Sequence, residues 1–277
     1  MPELPEIETI RAGLTPHLLG RTIQNLSIHT PKLRWPIPID TLRQNLVGQT
    51  IHTLHRRGKY LLWSMDAGHQ LIHLGMSGQL LIQNPATPAT RHDHVIWTFD
   101  DGTRLLLRDP RRFGALLWIE GDWRHHPLLA KLGPEPLEPT FHADHLAAWC
   151  RGRRVAIKSL IMQGAVVVGV GNIYANEALF LAGVHPARPA GSLKPDECIR
   201  LTRTIKQVLE AAIRQGGTTL RDYRQSDGKP GYFSIELNVY GRTGETCPIC
   251  ATPIRSQRLG QRSAFFCPRC QPESSQS

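Results

Sequence analysis

Gly133-Pro134-Glu135-Pro136 separates two textures of sequence, and that separation decides the fold. A glycine and two prolines within four residues suit neither a helix interior nor a central strand, so they read as a joint. Upstream, residues 21–118 break into short runs bounded by turn residues. Downstream, as far as about Gly216, apolar residues recur at helical spacing. Strands followed by helices make an α+β chain of more than one domain.

Before the joint, strands are expected at 22–28, 49–55, 60–65, 70–74, 79–83, 94–99, 104–107 and 115–119. Asp101-Gly102 marks a hairpin between two of them. Many short strands with turns between them predict a β-sandwich or barrel. An N-terminal helix packs on it, because Ile7, Ile10, Leu14 and Leu18 share one face, with Pro16 in or near the last turn and Gly20 as the stop. This first domain is expected over 1–133. A helical domain follows over 134–240, with helices at 141–151, 156–163, 173–182 and 195–215. In the last helix Ile199, Ile205, Val208, Leu209, Ala212 and Ile213 form the stripe expected to be buried. Residues 218–240 read as a loop, 241–271 as a small metal module and 272–277 as a tail.

The chain has 277 residues, 40% of them apolar and 20% charged, which suits two soluble domains with proper cores and excludes a disordered chain. Its formal charge of +10 points to a polyanionic partner. With no long uninterrupted apolar run and no signal-peptide layout, a cytosolic protein is expected, without a membrane partner.

Four of the six cysteines form two Cys-x-x-Cys pairs, Cys247/Cys250 and Cys267/Cys270, separated by sixteen residues. In a reducing compartment that spacing predicts four thiolates around one tetrahedral zinc. All four ligands being protein sulfurs, the ion is structural, holding a hairpin with little core of its own. Cys150 and Cys198 are expected as separate core residues. Between the pairs, Arg255, Arg258, Arg262 and Phe265 read either as a solvated charged hairpin or as an arginine surface for a phosphate backbone, and the overall charge favours the second.

The first residues, Met1-Pro2-Glu3-Leu4-Pro5-Glu6, carry a candidate chemistry. Removal of Met1 before a small residue leaves a secondary amine on Pro2. An α-amino group titrates at about 7.7 to 8, so a useful fraction is neutral and nucleophilic near neutral pH. The neighbouring Glu3 carboxyl can supply a proton, which completes a nucleophile and acid pair for attack on an aldehyde-like carbon. A plain helix start with proline and acids in its first turn fits the same residues. Three loops stand out beside it: Arg56-Arg57-Gly58-Lys59, Leu74-Gly75-Met76-Ser77-Gly78, and Asp109-Pro110-Arg111-Arg112-Phe113-Gly114. The last places an aromatic ring beside arginines, as a base-stacking surface requires, and Met76 reads as core filler or as an exposed apolar wedge. Val168-Gly169-Val170-Gly171-Asn172 precedes a helix, where backbone amides can approach an anion, and Lys158 lies one helix upstream.

Taken together, Pro-Glu-Leu-Pro-Glu at the start, His73 to Gly78, Asp109 to Gly114, Val168 to Asn176, Gly228-Lys229-Pro230-Gly231-Tyr232 and the terminal cysteine pairs resemble the bacterial formamidopyrimidine-DNA glycosylases from Met1 to about Cys270. The resemblance implies a β-sandwich, a helix, two turns, helix element and a zinc finger, with duplex DNA bound in a cleft. It implies that Pro2 is the nucleophile, Glu3 the acid for the sugar ring oxygen and Lys59 a further catalytic residue, with Glu6 in support. Lys158, Asn172 and Arg262 are implied to grip phosphates near the damaged nucleotide, Arg262 being grouped with the catalytic residues. His92 joins the DNA-binding set, and Met76, Arg111 and Phe113 are implied to fill the hole left by a swung-out base.

The implied reaction is loss of an oxidised purine (8-oxoguanine or a formamidopyrimidine) through a Schiff base on Pro2, followed by β,δ-elimination of the strand. The implied protein is a monomer working on nucleoid DNA. Arg221 stands where a lysine is common and Gln163-Gly164 where an acidic pair is, so lesion preference is the least determined property. One rival is an oxidised-pyrimidine enzyme similar to endonuclease VIII, which usually has glycine where this chain has Leu4. The other is a zinc-finger DNA-binding protein without catalysis, against which the intact Pro2, Glu3 and Lys59 argue.

Overall fold

The computed structural model describes residues 2–83, 88–216 and 237–273. They fall into two compact units, the first comprising residues up to Ala130 together with Gly216, and the second comprising Lys131–Gln215 and the described residues from 237 on. In the first, helix α1 (Leu4–Leu18) is followed by β1 (Ile23–Ile28), α2 (Ile39–Leu46), β2 (Thr53–Arg57), β3 (Tyr60–Met65), β4 (Gly68–His73), β5 (Gln79–Gln83), β6 (Asp93–Phe99), β7 (Arg104–Arg108) and β8 (Ala115–Ile119). The strands make two four-stranded antiparallel sheets, ordered β1-β6-β7-β5 and β2-β3-β4-β8.

The alternation of each strand turns one set of side chains inward. Trp63 and Trp97, from different sheets and both fully buried, meet edge to face with ring centroids 5.2 Å apart. Such a side chain contributes about 1.5–3 kcal/mol through burial alone. Leu54, Leu61, Ile72 and Leu116 from one sheet and Leu26, Leu80, Val95 and Leu107 from the other share the same core. This is the expected sandwich. The β6–β7 hairpin closes at Asp101-Gly102, where Gly102 has φ +82° and Asp101 Oδ1 accepts from the Thr103 N–H at 2.9 Å.

The sequence reading places no helix between residues 28 and 49, yet α2 lies there, burying Leu42 and Leu46. Eight residues give little more than two turns, too few for periodicity to declare itself. The second strand also begins later than expected, at Thr53, because Thr50 and Ile51 pair with residues 20–22 next to α1 and not with β3.

Helix α1 carries Leu4, Ile7, Ile10, Leu14 and Leu18 into the core, with Pro16 in its last turn and Gly20 just past its end at φ +76°. Two contacts fix its direction against β2. Arg11 Nη1 donates to the Leu54 carbonyl at 3.5 Å, and Arg56 Nε donates to Glu8 Oε2 at 3.0 Å. Stepping back along the helix from Arg11 to Glu8 therefore means stepping forward along β2 from Leu54 to Arg56. The N-terminus of α1 accordingly points toward the β2–β3 turn.

In the second unit, α3 (Ala143–Cys150), α4 (Ile157–Ile161), α5 (Asn172–Ala182) and α6 (Pro195–Arg214) pack around Leu146, Ile157, Ile161, Leu179, Leu201, Ile205 and Leu209. Helix α5 is sheathed on nearly all sides, every residue from Ile173 to Phe180 being buried. On α6 the buried ridge is Cys198, Leu201, Ile205, Leu209 and Ala212. Ile199, expected within it, is 57% exposed, because two positions before Leu201 on a helix is almost the opposite face. Cys150 and Cys198 are core residues as expected but not separate ones. The packing of α3 on α6 makes the two thiols electrostatic neighbours in one core. The chain ends in a hairpin, β9 (Arg255–Leu259) and β10 (Arg262–Phe266), over a small core of Val239, Ile254, Cys247, Cys267 and Phe180 from α5.

Burial alone would raise the Glu8 carboxyl, but Arg11 and Arg56 outweigh it and hold the group below its ordinary value of 4.5. The stability this gives is present above that value and is lost as pH falls through the depressed one. Glu8→Gln is expected to cost about 1–2 kcal/mol at pH 7. Thermal melts should show the deficit shrinking as the pH is lowered below 4.5, through the depressed value.

Candidate active site and nucleic-acid interface

Glu3 is the N-cap of α1 and is 1% exposed. Its backbone N–H donates to Glu6 Oε2 at 2.8 Å, and its side chain accepts from the backbone N–H three residues on. This reciprocal capping box, with Pro5 pre-set in the first turn, fixes a helix start that would otherwise fray. Pro2 is the half-buried residue immediately before it. Lys59 sits in the two-residue turn of the β2–β3 hairpin beside Gly58, whose φ of +56° the tight turn requires. The direction of α1 sets Pro2, Glu3 and Lys59 at one end of the unit. Arg56 ties the turn to the helix, donating from Nη1 to the Gly58 carbonyl at 3.2 Å while holding Glu8.

A second group forms where the chain crosses between sheets. The β4–β5 connection carries Met76 and the β7–β8 connection carries Arg111 and Phe113. Asp109, fully buried, clasps the two together. Its Oδ1 accepts from the Ser77 hydroxyl at 2.7 Å, its Oδ2 accepts from the Gly114 N–H at 2.8 Å, and Ser77 Oγ accepts in turn from the Arg111 N–H at 3.2 Å. The loops approach so closely that a Cβ on Gly75 would lie 2.3 Å from the Phe113 carbonyl carbon. Arg112 is forced to φ +55°.

What the clasp presents is apolar and cationic. Met76 is 42% and Phe113 43% exposed, so both are surface groups, and the Arg111 guanidinium lies 4.9 Å from the centre of the Phe113 ring. His92 borders the same loop, its carbonyl accepting from the Asp109 N–H at 3.1 Å. Behind Met76 and Phe113 lies a cleft of about 520 Å³ lined also by Leu33, Arg34, His73 and Arg112. Burial first, then the charges of Lys59 and Arg34, push the His73 imidazole down to about 4. It is therefore neutral at physiological pH, and its Nδ1 accepts from the Gly75 N–H at 3.1 Å.

In the second unit Asn172 is the first residue of α5, and Gly171 is the N-cap. Lys158 on α4 is 1% exposed, and its Nζ donates to Asn172 Oδ1 at 2.6 Å and to the Ser263 carbonyl of β10 at 2.8 Å. Asn176 continues the link, with Oδ1 accepting from the Phe265 N–H at 2.8 Å. Arg262 flanks the Gly260-Gln261 turn and is exposed, as are Arg255 and Arg258. The structure thus brings Lys158, Asn172 and the Arg262 hairpin together on one side of α5.

The four Cys Sγ atoms lie within 4.8 Å of one another, with separations of 3.4, 3.5 and 3.9 Å among them. Zinc–sulfur bonds of about 2.3 Å at tetrahedral angles require edges of about 3.8 Å. The donor set therefore fits zinc. Backbone N–H groups of Ile249 and Cys270 already point at the Cys247 and Cys267 sulfurs, each at 3.4 Å.

Motif reasoning had Asp109 only as the first residue of a loop and gave no role to Ser77, Asn176 or Glu177. A polar residue beside glycines in a tight loop was the only signal, and it does not say which N–H the side chain will meet. The Gly228 to Tyr232 loop and Arg221 lie outside the described residues.

Fold and site together define a zinc-finger DNA glycosylase. The chain matches the model of the formamidopyrimidine-DNA glycosylase N-terminal domain over residues 1–116, that of its H2TH domain over 132–224, and that of the zinc finger found in FPG and IleRS over 244–272. It is 57% identical to the formamidopyrimidine-DNA glycosylase of Thiobacillus denitrificans and 54% identical to that of Vibrio cholerae, in each case over 98% of this chain and the whole of the relative. A Lactococcus lactis FPG mutant in complex with a Fapy-dG containing DNA superposes with a TM-score of 0.90 at 32% identity, covering 98% of this chain and all of the other. The chain belongs to the formamidopyrimidine-DNA glycosylase family. It is accordingly a DNA-repair enzyme with glycosylase and abasic-site lyase activity, and its finger holds one structural zinc.

Two outcomes follow from this geometry. Cys250→Ser should lose the zinc, read by metal analysis, and weaken DNA binding while the sandwich keeps its melting transition. Asp109→Ala removes both clasping bonds and is expected to destabilise the first unit by about 2–4 kcal/mol. Lesion processing should fall further than non-specific DNA affinity, measured by single-turnover assay and fluorescence anisotropy.

Proposed function

We propose that this chain removes oxidised purines from duplex DNA with Pro2 as nucleophile and Glu3 as the acid, and that Lys59, Arg262 and the loop side chains prepare the substrate for them. The observation that carries the reading is the capped start of α1: a buried Glu3 carboxyl held by its own helix, immediately after the residue that carries the free amine once Met1 is gone.

The Pro2 nitrogen attacks C1′ of the damaged nucleoside, and the base leaves with the bonding pair of the glycosidic bond. A proton from Glu3 to the ring oxygen opens the sugar, so the Pro2–C1′ bond becomes an iminium ion. The iminium acidifies the adjacent carbon, and successive β- and δ-eliminations expel the two phosphates and leave a one-nucleotide gap. Lys59, at the same end of the unit, supplies a cation beside the attacked sugar.

Reaching C1′ requires the base to leave the stack, at a cost of a few kcal/mol. Met76, Phe113 and Arg111, held by Asp109, offset that by filling the vacated space and facing the opposite base, with His92 beside them. Arg262, Asn172 and Lys158 hold the flanking phosphates, Asn172 and Lys158 at the N-terminus of α5 where the dipole also favours an anion. The substrate class, 8-oxoguanine and formamidopyrimidine lesions, follows the activity named for the family. The enzyme acts as a monomer on chromosomal DNA in the bacterial cytoplasm. Among the described residues no helix is long and apolar enough to cross a membrane.

An amide nitrogen cannot form the iminium, because its lone pair is delocalised. Retaining Met1 or adding an N-terminal tag should therefore abolish borohydride trapping on 8-oxoguanine duplex while DNA affinity survives. Cutting at the untagged rate would exclude Pro2 as nucleophile. Glu3→Gln keeps an oxygen for the helix cap but no acidic proton, so base release should fall by about 10²-fold or more. A preformed abasic site should still be trapped. Arg262→Ala should weaken binding to all duplexes and lower the salt slope by about one ion.

A further inference from the structure

We infer that Glu177 is a positioning residue, whose buried carboxylate sets the zinc-finger hairpin, and Arg262 with it, on helix α5. The inference rests on the reading of Arg262 as a phosphate ligand.

Glu177 lies in the middle of α5 and is 4% exposed. Its carboxylate accepts four hydrogen bonds from the segment that enters the finger. Oε2 accepts from the Asn238 backbone N–H at 2.8 Å and from the Asn238 side-chain amide at 2.9 Å, while Oε1 accepts from the Val239 N–H at 3.0 Å and the Tyr240 N–H at 2.9 Å. Three consecutive main-chain N–H groups converging on one carboxylate fix the backbone direction of that segment. No cation is among these four donors, so the bonds do the work of orientation and not of charge pairing.

The held segment leads into the hairpin by two routes. Val239 is fully buried in the finger core with Cys247, Cys267 and Phe180. Tyr240 packs edge to face on Phe265 of β10, with centroids 5.0 Å apart. Asn176, the residue just before Glu177 on α5, holds the Phe265 N–H, and Asn172, just over a turn earlier, meets Lys158, which reaches Ser263 beside Arg262. Glu177 adds residues 238–240 to the same frame. Replacing one carboxylate oxygen by an NH₂ group sets a donor against these N–H donors, and buried donors left without partners are costly.

The test uses the full-length zinc protein and Glu177→Gln, Arg262→Ala and the double variant, binding a duplex with a tetrahydrofuran abasic analogue. Glu177→Gln should keep one zinc per chain and trap a preformed abasic site at saturating DNA at the wild-type rate. Its affinity should fall about tenfold, with a smaller salt slope. In the Arg262→Ala background it should add less than twofold, since two groups acting through one contact are not additive. A full tenfold loss in that background overturns the inference. Hydrogen exchange gives a reading independent of Arg262: peptides covering 238–240 and β10 should exchange faster in Glu177→Gln while α6 is unchanged, and unchanged exchange at the hairpin overturns the inference. If Arg262→Ala alone leaves affinity and slope intact, the phosphate reading of Arg262 has failed, and the exchange experiment still decides whether Glu177 positions the hairpin.

Discussion

On the proposed reading, in which Pro2 becomes the first residue and the nucleophile, the reacting group can be held from one side only. Termini fray because nothing precedes them, and here that mobility would belong to the reacting nitrogen. The remedy lies wholly downstream of Pro2. Glu3 and Glu6 cap each other across the first turn, Pro5 removes a backbone freedom, and Leu4 and Ile7 root the helix in the sandwich. Glu8 and Arg56 then bind the helix to the hairpin that carries Lys59. The amine is placed by a rigid helix start, as a side-chain nucleophile would be placed by the strand or helix beneath it.

The first unit also has connections that cross from one of its sheets to the other. A chain that passes from one sheet to the other must make a short, steep connection, and two such connections lie side by side at residues 74–78 and 109–114. Short loops can be made stiff. Asp109 joins them, Gly75 lets their backbones touch, and Met76, Arg111 and Phe113 are left projecting without freedom to collapse onto the surface. For the wedge role proposed for them, side chains that folded back when no DNA was present would have to be reordered at each encounter, and that ordering would weaken binding.

Much of this was legible in the sequence, and the parts that were not share a cause. Short runs bounded by turn residues marked a β domain, the cysteine spacing marked the metal site, and the apolar positions of α1 marked its buried face. These are signals within one element, readable from its own residues. What escaped depends on which element lies opposite. Helix α2 is too short to show a period, and Ile199 is apolar but falls on the outer face of α6. Cys150 and Cys198 become neighbours only through the packing of α3 on α6. Glu177 reads as an ordinary helical acid until residues 238–240 are seen to point at it. The resemblance to a known family supplied the chemistry of Pro2, Glu3 and Lys59, whereas the supports behind the loops and the finger needed coordinates.

The distribution of acids also accounts for the basic character of the molecule. Lysines and arginines number 33 against 23 aspartates and glutamates, but several of the acids are withdrawn inside. Glu6, Asp109 and Glu177 accept backbone N–H groups, and Asp93 and Glu197 are buried against Arg108 and Arg188. A carboxylate satisfied by N–H dipoles does not pair with a surface cation. Internal support in this chain is therefore largely anionic and amide-based, while Arg111 and Arg112 on the first unit and Arg255, Arg258 and Arg262 on the second are displayed to solvent. For a protein that must approach a polyanion from many positions before it meets a lesion, this partition gives long-range attraction without loosening the scaffold that aims the reactive groups.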